Sequence, residues 1–214
     1  MTRRNIKTWI STTLAATGLA AISIFAFVRA TPVPDDGGCK DACPPIGVEI
    51  CCPGVSKSQL EALGYTLTVE TQTNGCFVVT SCIPPCSTTW YAELEAKKFE
   101  GVGYTDELGR IDWRLDPDRT SDPATLKSYN KDEQFTAYGT ITFYAEAEVE
   151  KFPGLIFKSA EQVHLVNEKV LSFNPFKEEL FTMQGEPIKF YNEESGESFV
   201  LHELTSLLTE RKGE

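Results

Sequence analysis

Histidine is almost missing from this chain, and with it the side chain most used for proton transfer and metal binding. Only His164 and His202 occur. Each sits in an alternating run with no second histidine at ligand spacing, so both read as structural. No Gly-x-Ser-x-Gly elbow, His-Glu-x-x-His helix or glycine-rich phosphate loop is present, which removes the main support for a serine hydrolase, a zincin or a nucleotide-binding enzyme. A basic stripe is lacking too: 31 acidic against 20 basic residues give a net charge of −11. Phosphate backbones demand the opposite sign, so nucleic acid is excluded as a partner. Cysteine is absent after Cys86, and all seven cysteines crowd into one early segment.

Long hydrophobic runs are also lacking, except at the start. Met1-Thr2-Arg3-Arg4-Asn5-Ile6-Lys7 precedes an uncharged stretch from Ile10 to Val28, which ends in Val28-Arg29-Ala30 ahead of Thr31-Pro32. A basic head, an apolar middle and a small-residue end make an export signal cleaved after Ala30. Thr2-Arg3-Arg4-Asn5-Ile6-Lys7 resembles a twin-arginine signal, and that resemblance implies a route carrying folded cargo, often loaded with its cofactor beforehand. The alternatives are a general secretory signal and an uncleaved anchor; polar residues such as Ser11, Thr12 and Thr13 argue against the anchor. All the acidic residues lie beyond Ala30 while Arg3, Arg4, Lys7 and Arg29 leave with the signal, so the mature chain carries −15. Its place is periplasmic or extracellular, with no membrane span after cleavage.

Cys39, Cys43, Cys51, Cys52, Cys76, Cys82 and Cys86 are therefore disulfide candidates, since an exported chain meets an oxidising compartment. The odd count leaves at least one thiol outside an intramolecular bridge. Adjacent Cys51 and Cys52 are not expected to bond to each other, and point in opposite directions toward different partners. A thiolate-bound metal or cluster is the alternative. Against it, Cys39 to Cys43 and Cys82 to Cys86 each enclose three residues, where zinc ribbons and ferredoxin-type sites use two.

Period-two alternation dominates the rest. Trp90, Ala92, Leu94 and Ala96 share one face, Ile111, Trp113 and Leu115 repeat the pattern, and Phe135 to Val149 reads as one long strand bent near Gly139. Short apolar runs follow at 155–157, 163–166, 170–173, 188–191 and 199–204, with the tail from Glu203 to Glu210 readable as helix instead. Earlier, Ser56 to Leu63 predicts a short helix stopped by Gly64, and 65–82 predicts a hairpin turning at Asn74-Gly75. The expected organisation is an export signal over 1–30, a cysteine-rich, largely irregular segment over 31–86, and an antiparallel β domain over 87–214. The expected fold class is mostly β, an antiparallel β-sandwich or barrel-like domain.

Few site candidates remain. Asp116, Asp118 and Asp122, beside Asp112, offer loop oxygens of the kind calcium takes, but Pro117 and Lys127 break the EF-hand pattern. Glu93, Glu95, Glu146 and Glu148 lie on polar strand faces where charge is expected anyway. Tyr91, Tyr138 and Tyr144 on such faces suggest either a flat binding surface or a face covered by another layer. The reading is an exported, acidic, non-enzymatic protein of binding, assembly or cell-envelope structure, with a protein or envelope partner and no cofactor. Its alternative is a redox or metal-binding protein using the Cys39 to Cys86 cluster.

Overall fold

The computed structural model describes residues 44–83, 90–130, 133–172 and 177–209. Among them there is no helix, and every strand pairing is antiparallel. The strands are β1 (Glu49–Ala62), β2 (Tyr65–Ile83), β3 (Tyr91–Thr105), β4 (Gly109–Leu115), β5 (Ala124–Asn130), β6 (Glu133–Phe143), β7 (Ala145–Val149), β8 (Ile156–Ser159), β9 (Val163–Val170), β10 (Glu179–Met183), β11 (Ile188–Tyr191) and β12 (Ser198–Leu208). The expected antiparallel β class is thus present, and its form is the barrel-like one. One circuit of pairings runs β1-β2-β3-β4-β7-β8-β11-β12 and back to β1, and a second runs β1-β2-β3-β5-β6-β9-β10-β12 and back to β1.

The two circuits share β1, β2, β3 and β12 and part company elsewhere. The chain rises and falls as an up-and-down meander in which four staves are each broken once: at 116–123 between β4 and β5, at Tyr144 between β6 and β7, at 160–162 between β8 and β9, and at 184–187 between β10 and β11. Closure leaves no bare sheet edge at the β1 and β12 ends of the sequence, which is how small barrels avoid edge pairing.

The segment from Ser56 to Leu63 is a strand, correcting the expected helix. Ser56, Ser58, Leu60 and Ala62 alternate inward, and β1 is laddered on both sides, by β2 and β12. That two-sided pairing overrides a helix-compatible composition. The hairpin turn falls at Leu63-Gly64, with φ of 54° and 79°, the two positive angles a two-residue turn requires. Asn74-Gly75 is therefore no turn: β2 runs straight through it, with Asn74 opposite Pro53 and Gly75 opposite Cys52. β1 and β2 belong to the same barrel as the strands after Cys86. The long strand over 135–149 is broken at Tyr144 and carries a register shift between Ala137 and Gly139, where a bend was expected; the run at 163–166 continues to Val170 as β9, and the tail through Leu208 is strand rather than helix. β10 had no clear signal, because Glu179-Leu-Phe-Thr-Met183 offers a single inward aromatic.

Aromatic rings fill one end of the barrel. Trp113 meets Phe190 and Phe199 edge-on at 5.4 and 5.9 Å, and Phe190 stacks on Phe199 at 5.0 Å. Such pairs add roughly 0.5–1.5 kcal/mol each beyond their buried area. The other end is lined by Leu126, Ala137, Ile141, Leu165, Val170 and Phe181, all buried. Gly139 lets β6 press against that end: a Cβ there would lie 2.7 Å from Val170 Cγ2 and 3.1 Å from Leu126 Cδ2.

Candidate functional site

Cys51 and Cys76 face each other across β1 and β2 and form a disulfide. Cys82 is disulfide-bonded as well. Cys52 points the other way, into the barrel wall's inner side, and is a buried free thiol lying 3.6 Å from the Gly75 carbonyl oxygen. The opposed directions of Cys51 and Cys52 were expected; a bridge for Cys52 was not found, because its inward position has no sulfur opposite. Burial pushes the Cys52 thiol up to about 12, so it is protonated at neutral pH. Glu49, Cys51 and Cys76 have ligand atoms clustered within 4.8 Å, but the bridge consumes both thiolates that a metal would need. Cys39, Cys43 and Cys86, like the export signal over 1–30, lie outside the described residues.

The acidic trio is brought together by the break between β4 and β5, but its oxygens already have partners. Asp116 is buried, accepts the Asp118 N–H at 2.9 Å and the Arg119 Nε–H at 2.7 Å, and lies 3.4 Å from Lys158 Nζ. Burial opposes its ionisation, yet the Asp118 amide, Arg119 and Lys158 together outweigh that and hold the carboxyl below its usual range. Asp118 pairs with Lys158, and Asp122 exchanges hydrogen bonds with Gln162 at 2.8 and 3.0 Å. Ion pairs to Arg119 and Lys158 and hydrogen bonds to Gln162 make the trio a latch between the breaks. It ties three stave breaks together: the Asp116 N–H donates to the Tyr144 carbonyl, the Tyr144 N–H donates to Ser121 Oγ, and Arg119 reaches Ser159 Oγ at 3.4 Å.

The other sequence candidates are dispersed. Tyr144 is capped by the Arg119 guanidinium, 4.1 Å above its ring, and Tyr91 donates to Glu93 at 2.9 Å; with Tyr138 half-buried, no flat tyrosine surface forms. Glu95 pairs with Lys97, and Glu146 and Glu148 share Arg114. His164 Nδ1 lies 3.1 Å from Thr142 Oγ1, and His202 Nε2 lies 3.0 Å from Glu61 Oε2. Both histidines sit in strands as expected, on β9 and β12.

Sequence reasoning missed the polar stripe inside the barrel. Ser56, Ser58, Thr71, Thr73 and Ser206 are buried on the inner faces of β1, β2 and β12. Ser56 Oγ and Ser206 Oγ bond to each other at 3.0 Å. Ser58 Oγ and Thr73 Oγ1 have no hydrogen-bond partner among the described residues. These hydroxyls face aromatic rings across two small cavities of about 20 Å³ each, the first lined by Ser58, Thr71, Phe99, Trp113, Phe143 and Phe190 among others. Thr73, Phe99 and Phe143 border both cavities. The alternation Ser56-x-Ser58 and Thr71-x-Thr73 was visible in the sequence, but the first fell within the expected helix capped at Ser56 or Ser58 and the second beside the expected turn at Asn74-Gly75.

Outside the wall, next to Phe99, lies a cleft of about 810 Å³ between β3 and the 116–123 strap. Its cations are paired: Lys97 with Glu95, Lys98 with Glu100, and Arg114 with Glu146 and Glu148.

A closed eight-stave antiparallel barrel with a hydroxyl stripe facing rings inside it is the class these features define. No family model matches the chain, and no curated protein matches it. Among solved structures, it is similar to DynF from the dynemicin biosynthesis pathway of Micromonospora chersina, with a TM-score of 0.68 and 17% identity over 86% of this chain and 94% of that one. At that identity the likeness is one of fold.

Proposed function

We propose that this is an exported, non-enzymatic binding protein whose barrel interior holds a small, largely apolar or aromatic molecule carrying separate polar groups for Ser58 and for Thr73, which lie four ladder positions apart. The observation that carries the reading is the pair of buried, unpartnered hydroxyls aimed at a ring-lined cavity. A buried hydroxyl without a partner costs about 1–3 kcal/mol, and the stripe sits where a tightly packed barrel has most to gain from apolar side chains. A ligand group returns that hydrogen bonding. The aromatic and polar lining is the usual composition of a ligand seat, and since the two cavities of about 20 Å³ are each only water-sized, a ligand enters by displacing Phe99, which borders both. The paired carboxylates and bridged cysteines support the non-catalytic part, and the twin-arginine-like head supports export.

Titration of the mature chain with the neutral aromatic probe phenylnaphthylamine tests the reading. Saturable fluorescence enhancement at one probe per chain is expected, weakened about tenfold in the Ser58→Ala, Thr73→Val double variant. Absence of saturable binding, or equal affinity in the double variant, refutes it. Mass spectrometry of the secreted protein checks the export element, with Thr31 expected as the first residue; a retained signal overturns that element.

A further inference from the structure

We infer that the interior is reached through the barrel's side wall, between β3 and the 116–123 strap, with Phe99 as the gate. This rests on the interior-binding reading above. β3 is laddered to β4 over residues 100–105 and to β5 over 91–94. Residues 95–99 lie between those ladders and have no strand beside them on that side, and the strap that spans the gap makes no backbone hydrogen bond to them among the described residues. The wall is thus interrupted where the large cleft lies, and Ala96, Phe99 and Leu115 line both that cleft and an interior cavity.

A bulge places the gate. Lys98 pairs with Cys76 but Ala96 pairs with Phe77, leaving Lys97 unpaired. The extra residue switches the inward phase of β3 from Ala92 and Leu94 to Gly101 and Gly103, and turns Phe99 to the inside where an unbulged strand would turn Lys98. The Phe99 ring then meets Phe143 at 4.8 Å, and both rings border the two small cavities. Swinging Phe99 into the cleft joins those cavities to each other and to solvent, without opening either circuit of strand pairings. The aromatic end of the barrel offers no comparable route, since Trp113, Phe157, Phe190 and Phe199 pack ring on ring there. Because every cation at the cleft is paired with a carboxylate, the entrance favours a neutral molecule over an ion.

Stopped-flow binding of phenylnaphthylamine to the mature chain tests this. Phe99→Ala, with Phe99→Leu as a milder variant should the first not fold, is expected to raise the association and dissociation rates roughly fivefold to tenfold. Thr120→Trp, at an exposed strap position lining the cleft, is expected to slow both rates with equilibrium affinity unchanged. Wild-type rates in both the Phe99 and Thr120 variants, with binding intact, overturn the side entrance and leave the interior seat standing. Failure of the unmodified protein to bind the probe removes the seat and the entrance together.

Discussion

Thr73→Val removes one hydroxyl from the barrel interior and changes almost nothing in shape. Thr73 is 6% exposed, borders both interior cavities, and its Oγ1 has no partner among the described residues. Burying such a group costs about 1–3 kcal/mol on mutational scales, and the valine methyl gains the transfer free energy the hydroxyl forfeited. The variant is therefore expected to be more stable than the parent by about 1 kcal/mol, and with Ser58→Ala added by somewhat less than twice that, since the alanine leaves a small void. At a urea dependence of about 2 kcal/mol/M for a chain of this size, the midpoint moves up by roughly 0.5 M for the single variant. Equilibrium urea unfolding followed by tryptophan fluorescence reads it directly. A midpoint lowered by a similar amount would refute the reasoning, because it would mean that the hydroxyl is bonded in the native state and serves the fold. Gain of stability together with loss of probe affinity is the signature of a group kept for a ligand.

Asp116→Asn leaves Arg119 and Lys158 without their shared carboxylate; since those side chains are 29% and 36% exposed and regain water, the loss is expected near 2 kcal/mol rather than the full buried-pair value, read by thermal or urea unfolding. The wild-type latch follows the same carboxylate. Its folded pKa lies below the ordinary 3.8, so its stabilisation is fully present above about pH 5 and is lost as pH falls through the folded value; acid unfolding should begin at higher pH in Arg119→Ala. Cys52, with its thiol raised to about 12, is expected to resist a thiol reagent at pH 8 in the native protein and to react only in denaturant. Cleaving the Cys51–Cys76 bridge, whose cysteines are 25 residues apart, should cost about 3.5 kcal/mol on loop-entropy grounds, measured by comparing a Cys51→Ser, Cys76→Ser variant with the parent in urea.

Strand existence was legible wherever one face is apolar, as at Trp90 to Ala96, Ile111 to Leu115 and Ile188 to Tyr191. Reading failed where the inner face is polar or small. Ser56 and Ser58 looked like helix caps because nothing local distinguishes a serine facing a barrel interior from one facing water. Asn74-Gly75 looked like a turn because the dipeptide permits positive φ angles, whereas the neighbouring strands hold it extended and reserve those angles for Leu63-Gly64. The acidic trio was found as a cluster, but its meaning depended on Arg119 and on Lys158, which lies in another strand. The entrance had no local signal, since it arises from a one-residue bulge and a missing ladder segment, both properties of pairing rather than of composition.

The pairing of β1 with β12 also sets the order in which this protein comes into being. Ser56 and Ser206, 150 positions apart, bond to each other across it. Until Ser198–Leu208 has been synthesised, β1 has β2 on one side and an unsatisfied edge on the other, a template for pairing with the wrong chain. Closing so distant a pair is slow, and neither circuit exists before it happens. The first of the described strands waits for the last of them, and the ring exists only when both have been made.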